Sequence, residues 1–152
     1  MLKPNLLVIV PFVSTPPLHG YEVLCLNHLE KLAEDFSVDV LCAERNGARL
    51  AAVGNFDVRI EACSKNFLND GFGLLNCIMN SWPLQCYEFA SPNFSRRLKR
   101  LLSEKKYTRI LAYMTRVAPL PQRLSSNSLS LFAIDPLAIS YRKLSEHVNF
   151  FW

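Results

Sequence analysis

With 152 residues, half of them apolar and a fifth charged, the chain has the make-up of one folded domain with a single core, which excludes a disordered or low-complexity protein. Its formal net charge of +4 is a mild excess. That charge permits attraction to phosphates or to an anionic membrane surface and demands neither.

No internal repeat and no Pro-rich or Ser-rich linker divides the chain, so a single domain over residues 1–152 is expected. The five cysteines stand at 25, 42, 63, 77 and 86, an odd number without a CxxC pair. They indicate neither a zinc site nor a disulfide framework, and are expected to pack as small apolar side chains in a reducing compartment. The apolar run Leu6 to Val10 is too short to span a bilayer, and the prolines at 11, 16 and 17 do not make a signal cleavage site. A cytoplasmic location is expected, with peripheral attachment to the inner membrane face as an extension of it.

In chain order, residues 5–12 (NLLVIVPF) read as a strand buried on both faces, as in a parallel sheet covered by helices. From Gly20 a helical pattern begins, with Cys25, Leu29, Leu32 and Phe36 on one face. Residues 37–42 (SVDVLC) make a second strand, completing a βαβ unit with a right-handed crossover. Residues 57–62 (DVRIEA) follow as a third strand after the Gly54-Asn55 turn. Over residues 67–82, Leu68, Phe72, Leu75 and Met79 support a helix, with most of the apolar side chains of this stretch in the core or, as the alternative, with Phe67, Leu68, Phe72, Leu74, Leu75 and Trp82 offering an apolar surface to a lipid-linked sugar. Gly71 and Gly73 weaken it by about 1 kcal/mol each relative to alanine and are read as local flexibility; Pro83 ends it.

Residues 84–90 read as extended. Ser91-Pro92 starts a helix, serine as N-cap and proline in the first turn, with Phe94, Leu98, Leu101 and Leu102 as its apolar face. Residues 108–114 (TRILAYM) are a further buried strand. An irregular short helix over 116–124 contains Pro119 and Pro121. Residues 129–134 (LSLFAI) form the last strand, and Asp135-Pro136 start a helix with Leu137, Tyr141, Leu144 and Val148 on its apolar face. Strands alternating with helices define an α/β protein, a Rossmann-like three-layer α/β/α sandwich with a mainly parallel sheet.

In such a sheet, ligands bind beyond the carboxyl ends of the strands. The first such loop, residues 13–21 (VSTPPLHGY), contains no GxGxxG fingerprint, no P-loop and none of the acidic residues of a phospho-receiver. A GxSxG elbow is absent, and the histidines at 19, 28 and 147 lack ligand spacing. No cofactor and no metal are called for. Gly20 opens a helix whose free N–H groups could meet a phosphate or carboxylate, or it is simply a loop-to-helix junction. Arg116 follows a strand and is a cleft candidate against the default of a solvated arginine. Asp135 is either functional at its strand end or an N-cap. Seven of the 17 basic residues fall within 96–109, which reads as a solvated helix face or as a contact for anionic lipid. Nucleic acid is not expected, because no recognised module or aromatic platform accompanies them.

Three stretches in the same order resemble one family. KPNLLVIVPFVSTPPLHGYEVLCLNHLEKLAEDFSVDVLC looks like the opening of bacterial GT-B glycosyltransferases of the glycosyltransferase-4 type. WPLQCYEFASPNFSRRLKRLLSEKKYTRIL is similar to the family's segment in which an extended run precedes a basic helix and a buried strand. MTRVAP followed by FAIDPLAISYRKLSEH resembles an Arg-x-Ala-Pro element and a strand ending in Asp, familiar from sugar transferases of exopolysaccharide assembly. The resemblance covers nearly the whole chain and implies an N-terminal, acceptor-side domain. The nucleotide-sugar half, with its paired glutamates, is expected to be missing.

By this resemblance Gly20 would approach the donor diphosphate, with Arg116 and Asp135 on the cleft rim. His19 stands beside Gly20 where many relatives have a second glycine. The expected partners are the donor domain or a partner chain supplying it, and a saccharide or lipid-linked acceptor. A homodimer through the terminal Phe150, Phe151 and Trp152 is a further expectation, and no sugar transfer is expected from the chain alone, because positioning needs both walls of the cleft. The alternative function is a stand-alone binding or interaction module that kept the fold without catalysis.

Overall fold

The computed structural model describes residues 3–11, 20–43, 58–63, 67–117, 119–120 and 129–132. Among them, five strands form one sheet: β1 (Asn5–Val10), β2 (Ser37–Ala43), β3 (Val58–Cys63), β4 (Arg109–Tyr113) and β5 (Leu129–Phe132). They lie in the order β3-β2-β1-β4-β5, and every neighbouring pair is parallel. The helices are α1 (Gly20–Asp35), α2 (Phe67–Met79) and α3 (Pro92–Glu104). The expected α/β fold with a parallel sheet is the one observed.

The continuous apolar runs follow from burial on both faces of the sheet. Side chains of a strand alternate between its faces, so Leu7 and Ile9 of β1 enter one core while Leu6, Val8 and Val10 enter the other. The first core contains Phe94, Leu98 and Leu101 of α3 together with Phe89, which meets Phe94 edge-on at 5.3 Å. The second contains Cys25, Leu29 and Ala33 of α1, with Leu32 and Phe36 packed against it. The apolar stripe assigned to the first helix thus covers the sheet as expected. Helix α3 begins as its sequence dictates: Ser91 is extended, Pro92 occupies the first turn, and the Phe94 amide donates to Ser91 Oγ at 3.3 Å. All five cysteines are free and buried.

Two expectations are corrected. Residues 84–90 are not extended. Leu84–Cys86 form a 3-10 turn after Pro83, and the amides of Phe89 and Ala90 both donate to the Cys86 carbonyl, closing further turns. The second correction concerns α2. Leu68, Phe72, Leu75 and Met79 point to solvent, and the buried residues are Gly73 and Cys77. Gly73 is a packing position. A Cβ there would overlap the Tyr87 carbonyl oxygen and stand 3.0 Å from its carbon, so only glycine allows α2 so near that backbone. Helix α2 stops in a Schellman turn: Trp82 N–H donates to Cys77 O at 2.8 Å and Ser81 N–H to Ile78 O at 3.2 Å, with Ser81 at φ 54°.

After β4, Thr115–Val117 form a 3-10 turn and residues 119–120 are again helical, in keeping with an irregular short helix. The expected helix from Asp135 lies outside the described residues.

Candidate functional site

The crossover from β1 to β2 runs through α1 on one face, and the crossover from β3 to β4 runs through α3 on the other. Strand order therefore reverses between β1 and β4, and in open parallel sheets the carboxyl ends of the two strands at such a reversal flank the ligand-binding crevice. Gly20 begins α1 beside this crevice, and none of the described atoms comes within 4 Å of where its Cβ would be. The open space is compatible with an approaching ligand and does not by itself require one. His19 and Asp135 lie outside the described residues, as do Phe150, Phe151 and Trp152.

Arg116 is brought to the same edge by a local reversal. Met114, the first residue beyond β4, has φ 70°, a left-handed conformation that is rare for a side chain of this size and costs of order 1–3 kcal/mol. It is fixed by Met114 N–H donating to Phe132 O at 2.9 Å and Val117 N–H donating to Met114 O at 3.3 Å. The chain turns back so that Arg116 Nη2 lies 3.5 Å from Met114 Sδ. Arg116 Nε is buried and has no hydrogen-bond partner among the described residues. The guanidinium lies near enough to the Cys86 thiol to oppose its rise, yet burial and the Cys77 sulfur still push that thiol up to about 11. A buried donor without an acceptor is costly, and such a group beyond the carboxyl end of a strand is suited to an anionic oxygen.

Sequence reasoning passed over Glu22. It lies in the first turn of α1 and is fully buried, where its charge adds to burial in raising the Cys25 thiol. The available signal was an acidic residue two positions after Gly20, placed at the positive end of a helix. Tyr113 falls within the stretch expected as a buried strand. Its hydroxyl meets His28 Nδ1 at 3.1 Å, and its ring packs at 5.2 Å from Phe132. Burial, with a smaller contribution from Cys25, raises its phenol above the ordinary value. These side chains, with Lys31, Leu32 and Leu111, line a recess of about 300 Å³ on the α1 face. Among the described residues no cluster of three His, Cys, Asp or Glu side chains could hold a metal ion, and no helix is long and apolar enough to cross a membrane.

No protein-family model matches the chain, and no curated protein matches it. A solved structure does: the crystal structure of TcCGT1 in complex with UDP, at 12% identity and a TM-score of 0.52, over 97% of this chain. The chain spans about a third (33%) of that structure's length. At this identity the likeness establishes the fold alone, a Rossmann-like α/β fold.

Proposed function

We propose that the chain is the N-terminal, acceptor-side domain of a GT-B glycosyltransferase, of the glycosyltransferase-4 type that assembles exopolysaccharides. The observation that carries this reading is the structural match of nearly the whole chain to a third of TcCGT1, a protein solved with UDP. The order of motifs along the sequence supports the same family.

In this reading the crevice between β1 and β4 faces a donor half supplied by the rest of a longer protein or by a partner chain. Gly20 sets the amino terminus of α1 toward the donor diphosphate, and Arg116 offers Nε, which has no acceptor among the described residues, to a phosphate or acceptor oxygen. The family resemblance adds His19 and Asp135, which lie outside the described residues, as further candidates for ligand contact. The acceptor is a saccharide or a lipid-linked sugar, reached from the cytoplasmic side, with peripheral attachment to the inner membrane face.

Transfer needs donor and acceptor held in line, and one wall of a cleft cannot hold both. The chain alone is therefore inactive, while the chain with its donor half turns over sugar nucleotide. A transfer assay with a panel of sugar nucleotides, run with and without a donor half encoded in frame or in an adjacent gene, tests this. Robust turnover by the chain alone, or none with the donor half present, would sink the reading. A second reading, an interaction module without catalysis, is favoured by the apolar side chains that α2 presents to solvent.

A further inference from the structure

Helix α2 is amphipathic in the inverse sense. At 100° per residue, Phe67, Leu68, Phe72, Leu75, Ile78 and Met79 fall within an arc of roughly 140°, and Gly73 lies roughly opposite its middle. In a core helix the wide apolar arc faces the protein. Here the arc faces solvent, with Phe67 89%, Ile78 66% and Met79 75% exposed, and the small residues Gly73 and Cys77 face inward. The contact at Gly73 and the hydrogen bond from Asn76 Nδ2 to Ala90 O, at 2.9 Å, hold the helix on its inner side. Its orientation is therefore set by close packing of backbone, and its apolar arc is turned outward. Exposed apolar patches of this extent mark an interaction surface.

The neighbouring charge indicates what is bound. Asp70 is the single charged residue of α2. Helix α3, which packs against α2, carries Arg96, Arg97, Lys99 and Arg100, with Lys106 and Arg109 following and Glu104 as its one acid. Arg96, Lys99, Arg100, Lys106 and Arg109 are exposed. A helix of 13 residues is about 20 Å long, too short to cross a hydrocarbon core of about 30 Å and long enough to lie along its boundary.

We propose that α2 and the basic face of α3 form a surface that rests on an anionic lipid bilayer. The apolar arc of α2 enters the boundary between headgroups and acyl chains, and the cations of α3 meet the headgroup phosphates. A bilayer supplies the apolar layer and the anionic layer side by side, which is the pairing this surface presents. The inference gives a site to the peripheral attachment in the proposed function and rests on that reading only for the membrane concerned. Its test involves no sugar transfer, so either can fail while the other stands.

The test is flotation of the 152-residue chain with vesicles of phosphatidylcholine, with and without phosphatidylglycerol, at low and high salt. The chain is expected to float with the anionic vesicles and to be released by salt, because surface charges are screened beyond roughly 10 Å at 0.1 M. The double substitution Phe72→Ser/Ile78→Ser is expected to weaken retention at least about tenfold, the loss anticipated when two apolar side chains no longer enter the bilayer. Arg96→Glu/Lys99→Glu is expected to remove the preference for anionic vesicles. All four side chains are exposed or on the outer arc, so both variants should melt as the parent does. Absence of flotation, or equal retention of parent and Phe72→Ser/Ile78→Ser, would overturn the proposal. So would a dimer, seen by light scattering, that the same substitutions dissolve, since a second copy would then cover α2.

Discussion

The Tyr107 hydroxyl donates a 2.6 Å hydrogen bond to Oδ2 of Asp39, joining residues 68 apart in sequence. Lys105 Nζ adds contacts of 3.1 Å to Oδ1 and 2.9 Å to Oδ2, so the buried carboxylate of β2 is held by the segment linking α3 to β4. This cluster lies toward the amino ends of the strands, away from the crevice, and its role is to pin a crossover to the sheet. Asp39→Ala should cost about 2–4 kcal/mol, because it leaves a buried phenol and a part-buried ammonium without their acceptor. Tyr107→Phe should cost about 1.5–3 kcal/mol, and Lys105→Met about 1 kcal/mol or less, since Lys105 is a third exposed. Urea unfolding of the three variants checks the order. A neutral Asp39→Ala would show that the cluster carries no stability.

The two glycines of α2 should respond oppositely to the same substitution. Gly71 is exposed and nothing lies within 4 Å of its Cβ position, so Gly71→Ala should stabilise by about 0.5–1 kcal/mol through helix propensity. Gly73→Ala forces a methyl group into the Tyr87 carbonyl and should destabilise by about 1–3 kcal/mol or more. Thermal unfolding of both variants provides the comparison. Equal effects would mean that α2 does not pack as described.

These two glycines also mark where reading the sequence stops. The strands and the apolar stripes of α1 and α3 were legible because burial on one or both faces imposes a period on the residue types. Ser91-Pro92 was legible because capping is local chemistry. In α2 the period supported a helix against two glycines that weaken it, and the side on which its apolar arc lies is a tertiary fact. A methyl-free approach at Gly73 decided it, and glycine looks the same in a flexible segment and in a tight contact. For the candidate site, a parallel sheet points to the carboxyl ends of its strands, and Gly20 and Arg116 follow β1 and β4 there. Neither the burial of Glu22 nor the reversal at Met114 has a sequence signature, since both depend on what folds around them.

Ser81 occupies the left-handed position of the Schellman turn that ends α2, where glycine is favoured for lack of a Cβ. Ser81 is exposed, so its side chain is not needed for packing. Ser81→Gly should therefore raise stability, by about 1 kcal/mol at most, since removing the strain of a left-handed serine is partly offset by the greater freedom of glycine in the unfolded chain. A drop in stability would mean that the serine contributes interactions beyond the turn.

The buried thiols give a pH dependence whose sign follows from burial. Cys25 is pushed up to about 12, first by burial and then by Glu22, and Cys86 up to about 11. Below the unfolded-state value of about 8.5 both thiols are neutral folded or unfolded and pH has no effect through them. Above it the unfolded chain releases protons that the folded chain keeps, so stability falls as pH rises toward the folded values, by up to about 1.4 kcal/mol per pH unit for each thiol. Urea midpoints between pH 7 and 10 should decline, and Cys25→Ala should flatten the decline whatever its effect at pH 7. A slope unchanged by Cys25→Ala would show that this thiol is not the source.

Arg116 separates stability from binding. Its Nε is buried without an acceptor among the described residues, which is unfavourable unless a ligand supplies one. Arg116→Met keeps much of the side-chain volume and removes the unpaired donor, so it should leave stability unchanged or raise it by about 1 kcal/mol, a few degrees in melting temperature. The same substitution should abolish any protection of the parent by a nucleoside diphosphate, read as the shift in melting temperature on adding UDP. If Arg116→Met instead destabilises the chain strongly, the guanidinium serves the fold. A UDP-dependent shift that survives the substitution would place the phosphate contact elsewhere on the crevice, with the amides of α1 as the remaining donors on that edge.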